Sequence, residues 1–351
     1  LHLFSAPFRL FYHALSDAHC DTSAISVGLF HCRGGGIGIH EGLKILCWQR
    51  LAGSTPAYGT TQMTQETSAP TDGDKPRIVI VAGPTASGKS KEAIRIAKER
   101  DGEIISVDSR QVYRGLDIGT EKMSLEERQG VPHHLIDIRE PNEPYSAGDF
   151  LDDATKLIKE ISSRGKLPIL AGGTHFYFDA LLKGLPMTPM DEELRVELEK
   201  LSTEELARQV EIKDPARFAR LDPQNRRRLI RALEIIALHG HVPEREIPSR
   251  DTLPYSIEWH ILNPSIEELR PRINERLKEA LARGLIEEVR HTRDLYGDKR
   301  LNELGLEYKI IGEYLRDERT EASLLPTLST RLWHYARRQK AWLRKLHDEL
   351  A

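Results

Sequence analysis

Beyond Cys47 the 351-residue chain contains no cysteine, because Cys20, Cys32 and Cys47 all fall within the first 62 residues. The body of the protein therefore has no disulfide and no cysteine-ligated zinc to hold it together, which suits a reducing cytoplasm. No run of about 18 apolar residues occurs, so no membrane-spanning helix is expected. Charge of one sign is also lacking: 51 Lys+Arg face 54 Asp+Glu, a formal net charge of −3. Any nucleic-acid contact must come from local basic faces, not from the field of the whole chain. Methionine is missing until Met63, and the segment before it, including "CRGGGIGIHEG", has no sustained helix or strand period. Nor does it follow the order of a secretory signal. The expectation is that Met63 is the natural start and that residues 1–62 are translated upstream DNA; the alternative is a disordered or processed extension. Internal repeats are absent as well.

What is present suffices for a folded body. With 39% hydrophobic residues the chain can bury one full core and a smaller second one. After the polar leader "MTQETSAPTDGDK", the run "RIVIVA" reads as a buried strand, "GPTASGKS" as a glycine loop and "KEAIRIAKER" as a helix with Ala93, Ile94, Ile96 and Ala97 inward. "EIISVDS", "LPILAGGT" and "SIEWHILN" are three further strand candidates, and a helix opened by Ser146 and closed by Gly165 lies between the first two. Strands alternating with helices predict an α/β fold: a P-loop NTPase-like parallel sheet core flanked by helices. From about Pro186 to Ser249 only helical patterns remain, predicting an inserted helical subdomain. The stretches 265–292 and 329–350 each read as a long amphipathic helix, the second carrying Leu332, Tyr335, Ala336, Gln339, Leu343 and Leu346 at helical spacing.

Residues 83–90, Gly83-Pro84-Thr85-Ala86-Ser87-Gly88-Lys89-Ser90, satisfy G-x-x-x-x-G-K-[ST] with a strand before and a helix after. The glycines let the backbone curl its N–H groups onto phosphate oxygens, the helix start adds positive potential, and Lys89 adds a point charge. Ser90 is placed to ligate Mg²⁺ bridging two phosphates. The loop by itself does not name its ligand, and nucleotide binding with ATP is the first reading. Asp108 ends the second strand at the edge where open α/β sheets bind ligands. Its position, about twenty residues after the loop, favours a substrate-facing acid able to take a proton over a metal-associated carboxylate. A cap or a ligand-positioning role is the alternative.

The ordered blocks "VAGPTASGKS", "ISVDSRQVYRGLDIGTEK", "PHHLIDIREPNEPYSAGDF", "ILAGGTHFYFDALLKGL", "RRRLIRALEI", "RINERLKEALARGLIEEV" and "ARRQKAWLRK" resemble the bacterial tRNA dimethylallyltransferase family from about Arg77 to Lys345. The resemblance implies transfer of a dimethylallyl group from dimethylallyl diphosphate to the exocyclic amine of the adenine 3′-adjacent to the anticodon, at position 37 of tRNA, without consumption of ATP. It further implies that residues 83–90 hold the diphosphate with Mg²⁺ and that Asp108 is the general base. Thr174 then stands near the bridging oxygen, and Arg276, in preference to Arg272 one turn earlier, neutralises the leaving group; both arginines belong to the diphosphate site.

For the tRNA anticodon stem-loop, the resemblance assigns Asp108, Ser109, Arg110 and Gln111 to the flipped adenine, with Gln111 at its hydrogen-bonding edge. Arg227, Arg228, Leu229, Ile230 and Arg231 fall in a second RNA-binding segment, where helical spacing predicts that Arg227 and Arg231 point together. Thr330–His347 contains six Lys/Arg and no acidic residue until Asp348, with Trp333, Tyr335 and Trp342 read as core. On the residues alone, the alternative for each basic position is a solvated helix face. One block departs from the family: "ELGLEYKIIGEYL" has Gly305-Leu306-Glu307-Tyr308-Lys309 in place of the more usual Gly-Tyr-Arg-Gln sequence, which puts the RNA contacts assigned there in question. The expected organisation is an extension outside the family over 1–75, the first part of the core over 76–185, a helical tRNA-binding insertion over 186–249, and the second part of the core over 250–351, acting as a cytoplasmic monomer. The competing readings are a small P-loop kinase using ATP and a nucleotide-dependent RNA-binding switch.

Overall fold

The computed structural model of the chain describes residues 75–350 except 186, 187, 190 and 245–247. The readings on the three cysteines, Met63 and the leader, and the boundary at Pro186, lie outside the described residues.

Five strands form one sheet: β1 (Arg77–Ala82), β2 (Gly102–Val107), β3 (His133–His134), β4 (Leu167–Gly172) and β5 (Ser256–Ile261). Their order is β3-β2-β4-β1-β5, and every pairing is parallel. Four of them coincide with the apolar runs of the sequence. The edge strand β3 has two half-buried histidines and no apolar run, so periodicity had nothing to detect. The helices are α1 (Lys89–Glu99), α2 (Ala147–Ser163), α3 (His175–Lys183), α4 (Glu192–Glu199), α5 (Thr203–Lys213), α6 (Pro215–Phe218), α7 (Arg226–His239), α8 (Ile266–Ala282), α9 (Leu285–Leu301), α10 (Leu306–Leu315) and α11 (Leu324–Leu350).

Strand alternation sorts the sheet into two faces. Ile78, Ile80, Ile105, Val107 and Leu170 meet Phe150, Ile158 and Ile161 of α2, Phe178 of α3 and Leu343 and Leu346 of α11. Val79, Val81, Ile104 and Ile169 meet Ala93, Ile94, Ile96 and Ala97 of α1 on the other face. Each fully buried side chain of this kind contributes about 1.5–3 kcal/mol of transfer free energy, which offsets the ordering of strands distant in sequence. Ser146 caps α2 by accepting from the Asp149 N–H at 3.2 Å, and the helix ends just before Gly165 at φ 73°, as its sequence signals predict.

The expected single helix over 265–292 is two. Gly284 sits at φ 99°, outside the helical region, and separates α8 from α9. These two helices, α10 and the N-terminal part of α11 enclose a second core around Leu277, Val289, Tyr308, Ile311 and Leu332, onto which Val112, Tyr113 and Leu116 dock. The chain over 191–242 builds a smaller core of its own, in which Leu206, Val210, Leu229 and Leu233 join α5 to α7. Among the described residues no helix is long and apolar enough to cross a membrane.

Candidate active site

In a parallel sheet the chain leaves β1, β2 and β4 at one edge, so the three turns that follow them converge. Convergence requires β2 and β4 to close tightly there. A Cβ on Gly172 would lie 2.1 Å from the Val107 carbonyl oxygen, so only glycine permits the approach. The edge opens on a cavity of about 310 Å³, lined among others by Thr85, Lys89, Ser90, Asp108, Thr174 and Arg276. The catalytic residues implied by the sequence resemblance thus share one cavity with the phosphate loop.

The loop curls as its sequence requires. Pro84 carbonyl accepts from the Ser87 N–H at 3.3 Å, and Ala86 and Gly88 adopt φ of 61° and 88°. Gly83 is wedged so closely that a Cβ would meet the Ser87 hydroxyl and the Leu262 carbonyl. Lys89 Nζ lies 3.4 Å from the Pro84 carbonyl. Desolvation holds its ammonium below the ordinary lysine range, opposed by the charges of Asp108 and Glu121, with Arg276 pushing the same way as burial. Ser90 is exposed and lines the cavity.

Asp108 Oδ1 accepts from the backbone N–H groups of Arg110 at 2.8 Å and Gln111 at 3.4 Å, which fixes the carboxylate at the end of β2. Thr174, at the start of α3, is tied to the same turn: its Oγ1 accepts from the Ser109 N–H at 3.1 Å. Arg276 comes from α8 with its side chain only 16% exposed, donates to the Thr85 hydroxyl, and pairs with Glu121 and, at 3.4 Å, with Glu307.

Five of the expected contact residues are engaged within the protein itself. Arg272 is 48% exposed, pairs with Glu268 at 3.5 Å on the same helix and does not line the cavity. It stands one turn before Arg276, about 6 Å back along the axis. Gln111 has both ends of its amide engaged: it accepts from the Ser106 hydroxyl at 3.0 Å and donates to the Thr120 carbonyl at 3.1 Å. It braces the loop that carries Glu121 while itself lining the cavity. Leu229 and Ile230 are 0% and 6% exposed in the small helical core, because the α7 period turns them inward. Arg231 does not pair off with Arg227 either: it donates to Glu234 at 2.8 Å and to the Thr188 carbonyl at 2.6 Å, while Arg227 and Arg228 are exposed. Ser109, Arg110 and Gln111 all line the cavity.

Sequence reasoning missed Glu121, Glu307 and the site role of Gln339. The carboxyl of Glu307 is pushed above the usual carboxylate range by burial, with Arg276 opposing and the charges of Glu121 and Asp108 adding to the rise. Gln339, 3% exposed, accepts from the Thr85 N–H at 2.8 Å and donates to the Gly173 carbonyl at 2.9 Å. One signal pointed to it, a lone polar residue within the apolar stripe of α11. The loop over 117–119 is pinned by Glu288, which accepts from the Asp117, Ile118 and Gly119 N–H groups at 2.6–2.9 Å and from the Tyr308 hydroxyl at 2.7 Å.

Comparison with known proteins adds independent findings. The family model described as IPP transferase matches residues 111–346. A tRNA dimethylallyltransferase of Thermomicrobium roseum is 41% identical over 285 residues, covering 77% of this chain and 84% of the relative. One of Citrifermentans bemidjiense is 43% identical over 284 residues, covering 78% and 91%. Among solved structures, the full-length tRNA isopentenylpyrophosphate transferase of Bacillus halodurans superposes with a TM-score of 0.58 at 39% identity, over 77% of this chain and 87% of that one. A eukaryotic dimethylallyltransferase acting on tRNA reaches a TM-score of 0.67 at 29% identity, over 76% and 69%.

Proposed function

The chain belongs to the IPP transferase family, and from that premise we propose that it is a tRNA dimethylallyltransferase, moving the five-carbon group of dimethylallyl diphosphate onto the exocyclic amine of the adenine beside the anticodon. The observation that carries this reading is the meeting of a diphosphate cradle, an arginine, a threonine and a carboxylate in one cavity. An allylic diphosphate departs readily once its charge is neutralised, and an aromatic amine attacks poorly unless its proton is taken.

Each need has a residue. The 83–90 backbone and Lys89 hold the diphosphate, and Arg276, fixed to the loop through Thr85, meets the charge that grows on the departing oxygens. The Thr174 hydroxyl, oriented by Ser109, can donate to the bridging oxygen. As the amine nitrogen bonds to the allylic carbon, the carbon–oxygen bond breaks and Asp108 takes the proton the nitrogen loses. The donor set fits Mg²⁺: Ser90 supplies a hydroxyl at the cavity and the diphosphate supplies oxygens, the mixed ligation this ion favours over an all-protein cage. When bound, the ion would neutralise diphosphate charge.

A base buried this deeply must leave its stack, with Ser109 and Arg110 beside it. Exposed Arg227 and Arg228, and the Arg337–Arg338 side of α11, suit phosphate contacts of the stem-loop. ATP has no part in this chemistry, and a cytoplasmic site of action follows from the substrate. The test is incubation with radiolabelled dimethylallyl diphosphate, Mg²⁺ and an anticodon stem-loop carrying the adenine: label should enter RNA, whereas ATP-dependent phosphate transfer with unlabelled RNA would replace this reading by the kinase one.

A further inference from the structure

The guanidinium of Arg276 is held by three side chains. Its Nη1 donates to the Thr85 hydroxyl, its Nε meets Glu121, and its Nη2 faces Glu307 at 3.4 Å. Among these three contacts the one to Glu307 is long for a charge-assisted hydrogen bond, which ordinarily closes to about 2.7–2.9 Å. It is therefore the one a stronger acceptor can take over. Glu307 reaches the cavity from the first turn of α10, in the block where this chain departs from the usual Gly-Tyr-Arg-Gln sequence.

We propose that Glu307 is a positioning residue which keeps Arg276 aimed at the diphosphate site and surrenders it to the incoming diphosphate, taking up a proton as it does so. This inference rests on the donor being a diphosphate, as in the reading above. The charges that face Glu307 drive this exchange. Arg276 is the cation paired with it; Asp108 at the end of β2 and Glu121 in the following loop are acidic; Tyr308 on its own helix, Tyr335 and Arg338 on α11, Arg110 and Lys89 line the same cavity. Once the diphosphate takes Nη2, the Glu307 carboxylate is left in a desolvated site beside two carboxylates and an anionic ligand. Such a group neutralises by protonation. Burial raises its carboxyl above the usual carboxylate range. No bond other than the O–H of Glu307 is made in this step, and the proton comes from solvent.

The experiment is calorimetric titration of the full chain with dimethylallyl diphosphate and Mg²⁺ in two buffers of different ionisation enthalpy near neutral pH. Proton uptake per donor bound is compared between wild type and Glu307→Gln, so that titration of the diphosphate itself cancels. Wild type should take up as much as one proton more than the variant, and its donor affinity should fall with rising pH more steeply by that same count. Equal proton counts with intact binding overturn the role of Glu307 and leave the transferase reading untouched. Failure of the wild type to bind the donor at all overturns the transferase reading, and this inference with it. If Glu307→Gln does not fold, infrared difference spectra of the wild type alone decide: donor binding should add a protonated-carboxyl band, and its absence sinks the proposal.

Discussion

Gln339 and Thr85 lie 254 positions apart, and the Thr85 N–H donates to the Gln339 side-chain oxygen at 2.8 Å. Through its other end, the Gln339 amide donates to the Gly173 carbonyl at 2.9 Å. One side chain of α11 therefore sets the spacing between the phosphate loop and the turn that presents Thr174. A glutamate in place of Gln339 would keep the acceptor and lose the donor, setting a carboxylate against the Gly173 carbonyl and beside the diphosphate site. Gln339→Glu should lower kcat by about 100-fold, the cost of misplacing reacting groups by roughly 1 Å, while circular dichroism stays unchanged. Steady-state kinetics on labelled donor and stem-loop RNA check this; wild-type kcat in the variant would remove Gln339 from the site's architecture.

Asp108→Asn separates two roles of one residue. Asparagine retains the oxygen that accepts from Arg110 N–H at 2.8 Å, so the turn after β2 should survive. It cannot take a proton. Transfer should drop roughly 10²–10⁴-fold, the usual contribution of a positioned general base, with donor affinity nearly preserved. Rapid-quench measurement of single-turnover transfer, alongside donor titration, distinguishes the two; a variant that turns over within a few-fold of wild type would show that the base is another group.

These two residues mark what was and was not legible in the chain. Asp108, Thr174 and the 83–90 loop are readable because each ends an apolar strand, and a parallel sheet gathers strand ends at one edge. Glu121, Glu307 and Gln339 carry no local pattern of that kind. They reach the cavity from a loop, the start of α10 and the middle of α11, and only the packing of α8, α10 and α11 into one core brings them together. Leu229 and Ile230 show the converse: they came in with a whole motif block, and the period of α7 turns their side chains into its core.

Arg227 and Arg231, one turn apart on α7, should respond in opposite ways. Arg227 is exposed, so Arg227→Ala should leave thermal stability unchanged and reduce the slope of log affinity against log salt by about 0.7–0.9 for RNA, one phosphate contact. Arg231 pairs with Glu234, whose side chain is 1% exposed and is shared with Arg195. Removing it leaves a buried carboxylate with one partner in place of two. Arg231→Ala should cost about 1–3 kcal/mol of stability. Fluorescence anisotropy across a salt series and thermal melts read the two effects separately, and a shared phenotype would mean that α7 works as one RNA-binding face.

His175 supplies a pH dependence with a definite sign. It follows Thr174, is 9% exposed, has no hydrogen-bond partner on either ring nitrogen among the described residues, and stacks on Trp342 with ring centroids 6.2 Å apart. Burial, with a smaller push from the Lys89 charge, lowers its pKa from 6.5 to about 4. The unfolded chain therefore binds this proton more readily than the native one between pH 6.5 and 4. Above that window the imidazole is neutral in both states and contributes no pH dependence. As pH falls through it, native stability is lost progressively, by about 3 kcal/mol in total. His175→Phe keeps an aromatic ring against Trp342 and removes the titration. Melting temperatures of wild type and variant should therefore converge or cross as pH drops from 7 to 4.5, with the variant losing less, whereas parallel acid profiles would show that the native protein accommodates a charged His175.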